Sequence, residues 1–368
     1  MKRVILINFL FLFLFLGFIE ILLGKWIKNI FLNEKTEYLN IPGLYKDKKF
    51  FYDVKKLYNS SQSVPIKIYK DNLGYRSRSN NNKQKVLTIG GSTTEEFFVT
   101  EGKTWQDNLD NLQPEFDFIN GGLSGQSTFG HLESIKEWHS KYLNNSKIDS
   151  IIFYIGINDL NFVRKNFDLV EYLSDLENYK NRVSFRIFLK NNSFFINKFL
   201  IAKNRISFYI QKKSRNYLTS HKSRKVDFLK KGIKQEIKEN INPQSFIFYK
   251  NLFSSLITET FTSFPKSKII VIQQQIPGCR FVGENIVYDR HPSVKMNICI
   301  DLHRVYQLQE NVIKSLPISK QNRLYLFPMY KKEILKDHHV YDYVHTNPEG
   351  SKALGEYINS IFKNFINN

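Results

Sequence analysis

The chain has 368 residues, of which 42% are hydrophobic and 15% aromatic; that is enough apolar surface for a packed core and excludes a disordered chain. The length allows one large domain with insertions or two small ones. A net charge of +20 favours anionic partners such as membrane surfaces, acidic glycans or nucleic acid, although Lys and Asn recur in every kind of segment, so the charge also reads as plain compositional bias.

Nucleic acid is not an expected partner: the sequence has no paired Cys/His spacing, no aromatic RNA-binding consensus and no basic zipper. Cys279 and Cys299 are the two cysteines, and both are expected in one loop-like region. They are too few and too far apart for a zinc site. A single disulfide in an oxidising compartment and two buried thiols both fit them.

At the N-terminus Lys2 and Arg3 precede the apolar run 4–24. About 20 apolar residues match the hydrocarbon thickness of a bilayer. A secretory signal has a shorter apolar core and a small-x-small cleavage site, whereas Gly24, Lys25 and Trp26 have the look of an interfacial anchor. Asn8 and Glu20 lie near the two ends of the run, where a polar group costs less than at its centre. We read residues 1–25 as an uncleaved transmembrane signal-anchor, with a cleaved signal as the alternative. Lys2 and Arg3 favour an internal N-terminus, while Lys25, Lys28 and Lys35 pull the other way.

Residues 26–83 are expected to form a stalk and lead-in, with an extended segment from 66 and a turn at Asn72, Leu73 and Gly74. Beyond them an α/β rhythm sets in. Strands are predicted at 86–89, 116–119, 151–155, 268–273 and 324–327. Helices are predicted around 105–112, 130–143, 245–262, 302–315 and 348–365. Short apolar strands alternating with amphipathic helices imply a mostly parallel sheet covered on both faces. The stretch of about 161–242 breaks this rhythm and is predicted to be a polar, basic, helical insertion. Between Asn178 and Gln235 its one acidic residue is Asp227, and 193–213 interleaves aromatics with Lys and Arg. Such a segment suits a membrane surface or a lid, or an insertion helix packed on the core.

In open parallel sheets ligands bind beyond the carboxyl ends of the strands, where strand order reverses. The first predicted strand ends in Gly90, Gly91 and Ser92, the second in NGGLSGQST (120–128), the third in GIND (156–159), and DYVHTNPEG (342–350) precedes the last helix. Each has an ordinary reading as a turn or helix start, and His345 alone as a surface or packing histidine. As a set they meet the needs of acyl transfer. A serine needs a base to take its proton, the base needs an orienting carboxylate, and the oxyanion needs aimed donors. Asp342 and His345 are three residues apart in a turn. The Ser92 N–H, a backbone N–H at Gly125 and the Asn158 amide are the candidate donors, Gly125 because a residue without Cβ permits close approach. In a sheet of order 2-1-3-4-5, Ser92 and Asn158 flank one cleft.

These four blocks, in this order, resemble the SGNH/GDSL hydrolase family, and Thr104-Trp105 ahead of the first helix is similar to the family's usual pattern. The resemblance covers 85 to about 161 and 268–365. It implies a three-layer α/β/α, flavodoxin-like domain over 84–368, interrupted by the basic helical insertion. It also implies a catalytic triad of Ser92, His345 and Asp342, and an oxyanion hole of Ser92, Gly125 and Asn158, with no metal or organic cofactor. Gly91 stands where the family commonly has Asp, a variant that resembles the family's membrane-anchored, surface-polysaccharide-associated members. The chain is accordingly expected to be a single-pass membrane protein with an extracytoplasmic catalytic domain. The expected activity is that of a serine esterase or O-acyltransferase acting on an acyl ester, with O-acetyl groups of a cell-envelope glycan as the expected substrate. The alternatives are a lipid acyl-hydrolase at the membrane surface and a non-catalytic glycan-binding envelope-assembly protein.

Overall fold

The structure is a computed structural model. It describes residues 2–24, 44, 46–76, 83–143, 147–164, 167–196, 198–199, 202, 229–235, 243–282, 285–290 and 296–366. The expected interfacial pair Lys25-Trp26 and most of the aromatic-basic stretch 193–213 fall outside them. The chain groups into two compact units, one of residues 1–40 and 168–220, the other of residues 41–167 and 221–368.

In the first unit, helix α1 (Lys2–Leu23) carries the apolar run, and nearly all of its large apolar side chains are exposed. It is long and apolar enough to cross a membrane, a property signal sequences share. Helix α5 (Leu169–Asn192) is the expected helical part of the insertion; the Asp168 carboxylate caps it by accepting the amides of Val170 and Glu171. Glu20, the acidic group inside the apolar run, is not left bare. Its two oxygens accept the N–H groups of Phe194 and Phe195, each at 3.0 Å.

The second unit is built on a parallel sheet. Strands β3 (Gln84–Gly90), β4 (Phe116–Asn120), β5 (Ile148–Ile155), β7 (Lys268–Gln273) and β10 (Leu324–Phe327) line up in the order β4-β3-β5-β7-β10, every pairing parallel. Numbered among themselves, that is the expected 2-1-3-4-5. The centres of β3, β5 and β7 are buried without interruption, as strands covered on both faces must be. Because successive side chains point to opposite faces, Val86, Ile152, Tyr154, Ile270 and Ile272 go to one side. There they pack with Trp105 and Leu109 of α3 (Trp105–Leu112) and with Leu354, Ile358 and Phe362 of α9 (Pro348–Ile366). Leu87, Ile89, Ile151, Phe153, Ile269 and Val271, of opposite parity, are buried on the other side. That side carries α4 (Thr128–Ser134, running on through a π turn to Tyr142), α6 (Pro243–Ser263) and α7 (Met296–Lys314). A single turn of helix, α8 (Ile318–Gln321), leads into β10. The result is a three-layer α/β/α arrangement.

Three departures from the sequence-based expectation are structural findings. Residues 229–235, inside the stretch expected to be helical, form strand β6 (Leu229–Gln235), which pairs antiparallel with β9 (Asn285–Arg290), itself paired with β8 (Cys279–Val282). A partner some 55 residues away decides that conformation, and no local pattern reports it. Helix α7 starts six residues before the expected position, because Cys299 extends the buried stripe of Leu302 and Tyr306 by one turn. Cys299 is therefore helical rather than in a loop, and it is bonded to Cys279 at the start of β8, with a Cα separation of 5.4 Å.

The lead-in also has a definite structure. β1 (Lys48–Asp53) and β2 (Pro65–Lys70) form an antiparallel hairpin, and the expected turn follows it, with Asp71 Oδ1 accepting the N–H groups of Leu73 and Tyr75. Tyr75 stacks on Trp138 at 4.5 Å and its hydroxyl meets His139 Nδ1 at 3.0 Å. The Arg76 N–H then joins Asn120 O at the end of β4.

Candidate active site

β3 runs out at Gly90, and the short helix α2 (Ser92–Glu95) begins at once, with the Thr94 and Glu95 amides donating to Gly91 O. Ser92 is thus the first residue past the carboxyl end of the central strand, half-buried and turned towards the loop that precedes α9. That loop is closed on itself. Val340 and Thr346 bridge, the Tyr341 N–H donates to His345 O, and the Asn347 N–H donates to His339 O. Asn347 Oδ1 accepts the Gly350 N–H, which caps α9 ahead of Pro348 at its first position.

Inside the loop Asp342 Oδ1 accepts the amides of Val344 and His345, both at 2.8 Å, and Oδ2 lies 2.6 Å from His345 Nδ1. A carboxylate can only accept, so Nδ1 carries the proton and Nε2 is the free acceptor. Nε2 sits 2.7 Å from Ser92 Oγ, across 253 residues of chain. Burial opposes ionisation of Asp342, but the bonds from the His345 ring and the two amides outweigh it and hold the carboxyl below its ordinary range. The Tyr341 ring lies parallel to the imidazole at 5.5 Å.

The two remaining predicted residues stand on the loops that flank Ser92. Asn158 follows β5 in a 3-10 turn (Ile157–Val163), and its Nδ2 donates to Gln126 O at 2.8 Å. A side-chain amide has two N–H bonds, so one stays available. A Cβ on Gly91 would stand 2.3 Å from that same Nδ2, so the residue before Ser92 can carry no side chain while Asn158 keeps this position. Gly125 has φ +80°, a left-handed conformation that suits glycine, and open space where its Cβ would be. Its need for glycine is thus conformational, not the crowding expected from the sequence.

Four acidic or amide residues to which the sequence assigned no role tie these pieces together. Glu96, buried and left-handed at φ 50°, accepts from Thr346 Oγ1 and Ser351 Oγ at 2.5 Å and from Trp105 N at 2.8 Å. It therefore joins the nucleophile turn to the His345 loop, to α9 and to α3. Burial pushes its carboxyl up to about 7 against those donors. Glu95 Oε2 accepts the Ser124 N–H and hydroxyl. Asp159, next to Asn158, accepts the N–H and hydroxyl of Thr128 at the start of α4, at 2.7 and 2.8 Å; burial raises its pKa to about 6. Gln274, past the end of β7, bonds Thr93 Oγ1 and the Ile157 N–H. The guanidinium of Arg76 donates to the carbonyls of Glu95, Glu96 and Val99 at the end of α2. The Thr104-Trp105 pair also has a physical role. Thr104 and Asp107 form a reciprocal capping box, and the Trp105 indole donates to Thr93 O. The sequence signal for the acidic pair was its place: Glu95 and Glu96 follow directly on a buried strand and a nucleophile-like turn.

No profile of a known protein family and no curated protein matches the chain in sequence. Among solved structures it is similar to a GDSL-like lipase from Bacteroides ovatus, with a TM-score of 0.41 and 15% identity over 83% of this chain and 57% of that one. It is similar also to a psychrotrophic esterase from a Pseudoalteromonas species (TM-score 0.40, 10% identity, 78% of this chain and all of that one). An acetyl xylan esterase matches with TM-score 0.39 and 12% identity, over 75% of this chain and 98% of that one. The chain spans little more than half the length of the Bacteroides protein.

Proposed function

We propose that this chain is a serine hydrolase of the SGNH/GDSL type, anchored in a membrane by α1, that cleaves or transfers an acyl group held in an ester. The observation that carries the reading is the continuous path from Asp342 Oδ2 through His345 to Ser92 Oγ, at 2.6 and 2.7 Å. Ser92 Oγ attacks the ester carbonyl while its proton passes to His345 Nε2, and Asp342 stabilises the imidazolium so formed. The carbonyl oxygen becomes an oxyanion, met by the Ser92 and Gly125 N–H groups and the second N–H of Asn158. When the intermediate collapses, Nε2 returns the proton to the leaving alcohol and the acyl group stays on Ser92. Water gives hydrolysis; an acceptor hydroxyl gives transfer by the same steps. On this reading O-acetyl groups of a cell-envelope glycan are the substrate class. The disulfide between Cys279 and Cys299 supports an extracytoplasmic domain, because such bonds persist in oxidising compartments.

The experiment is turnover of a chromogenic acetyl ester together with covalent labelling by a fluorophosphonate. Wild type is expected to do both, and Ser92→Ala neither, with an unchanged melting temperature. An unlabelled wild type would sink the assignment and favour a glycan-binding protein.

A further inference from the structure

The lead-in hairpin reaches the candidate site from behind. β2 ends at Lys70, a fully buried lysine, whose Nζ lies 2.9 Å from Glu95 Oε1, off the directions of a hydrogen bond. The other oxygen of Glu95 accepts both donors of Ser124, at 2.8 Å from the N–H and 2.5 Å from the hydroxyl. Ser124 is the residue before Gly125, so the bond at the Ser124 amide and the left-handed φ of Gly125 set the orientation of the Gly125 N–H. A lysine and a glutamate in contact at 0% and 3% exposure are a poor source of stability, since apolar replacement of such pairs is often neutral. What the pair supplies here is direction. A carboxylate anchored on one oxygen by a buried cation presents its second oxygen at a fixed point, and the Ser124 peptide is hung from that point.

We propose that Lys70 is a positioning residue for acyl transfer: through Glu95 it holds Ser124, by its N–H and hydroxyl, so that the next peptide aims the Gly125 N–H at the developing oxyanion. Its catalytic half rests on the hydrolase reading; its geometric half does not. On this account the hairpin ahead of the α/β domain is part of the active site's support rather than a stalk.

The test uses the full chain with Lys70→Met, Lys70→Arg and the double variant Lys70→Met/Glu95→Leu, which removes both charges and leaves no buried ion alone. The readouts are kcat and KM on 4-nitrophenyl acetate, and backbone amide exchange over 121–128 against 340–346. Lys70→Met is expected to lower kcat about 10–100-fold with KM within about threefold. Exchange over 121–128 should accelerate about tenfold while 340–346 stays as in wild type. Lys70→Arg should recover most of kcat, and the double variant should fold and remain slow. The double variant decides the matter if Lys70→Met does not fold. Wild-type kcat and wild-type exchange in a folded Lys70→Met or double variant would overturn the proposal, as would exchange that rises equally in both segments. If wild type turns over no ester, the hydrolase reading falls, and the exchange comparison still judges the positioning.

Discussion

Gly91→Ala is the sharpest probe of the candidate oxyanion hole, because it adds one methyl group at one known place. The new Cβ would stand 2.3 Å from Asn158 Nδ2, about 1 Å inside ordinary contact, and 3.4 Å from Gln126 O. The backbone φ of Gly91 is −84°, so the methyl group meets no left-handed strain. Relief must come from Asn158, whose amide is held by its 2.8 Å bond to Gln126 O. Moving Nδ2 by an ångström takes its second N–H off the oxyanion. Loss of one such donor costs about 10²–10³ in kcat, or about 3–4 kcal/mol of transition-state stabilisation, with KM nearly unchanged because the bond is made in the transition state. The assay is kcat and KM on a chromogenic acetyl ester for Gly91→Ala, Asn158→Ala and the double variant, with melting temperatures as a check on folding. If Gly91→Ala acts through Asn158, the double variant is no slower than Asn158→Ala. Multiplying losses, or full activity in Gly91→Ala, would refute the reasoning.

Asp342→Asn should lower kcat by about 10⁴ while the fold persists, since an amide that donates to Nδ1 turns the imidazole to the wrong tautomer; a loss below tenfold would remove Asp342 from the role. Glu96 predicts a pH dependence of stability. Its folded pKa of about 7 lies above the ordinary 4.5, so its contribution is fully present below about 4.5 and is lost as pH rises through 7. In urea unfolding, the stability of wild type relative to Glu96→Gln should therefore fall by about 2–3 kcal/mol between pH 5 and pH 8; a constant difference would contradict it. Reducing the Cys279–Cys299 bond, which closes a separation of 20 residues, should destabilise the fold by about 3 kcal/mol, read as a lower melting temperature in reductant, and Cys279→Ser should show the same loss without it.

Much of the scaffold was legible in the sequence because it is encoded locally. β3, β5 and β7 appear as short, mostly apolar runs since both faces of their sheet are covered, and the structure extends them by no more than three residues at an end. The Thr104 cap, the turn after Lys70 and the Asn347-Pro348 helix start are each set by neighbours within four residues. Three strand-end blocks and the block ahead of the last helix, in chain order, were enough to nominate Ser92, Gly125, Asn158, Asp342 and His345. The sequence by itself thus determined the five strands of the central sheet and the helices that cover them, and it nominated the side chains that follow the carboxyl ends of those strands.

The support behind them was decided in three dimensions. Lys70, Arg76, Glu95, Glu96 and Asp159 have the composition of surface residues, and in a chain with 54 basic residues a lysine carries no signal of burial. Their burial is stable because each meets partners from distant segments: Lys70 from Glu95, Asp159 from Thr128, and Glu96 from Thr346 at a separation of 250 residues. The same holds for β6, whose pairing with β9 overrides its local pattern, and for Cys279 and Cys299, whose bond needed the fold to bring their Cα atoms close, to 5.4 Å. Periodicity records which face of an element is apolar. Whether a charge can leave water depends on the groups that meet it after folding, and those come from other segments, 31 residues away for Asp159 and 250 for Glu96.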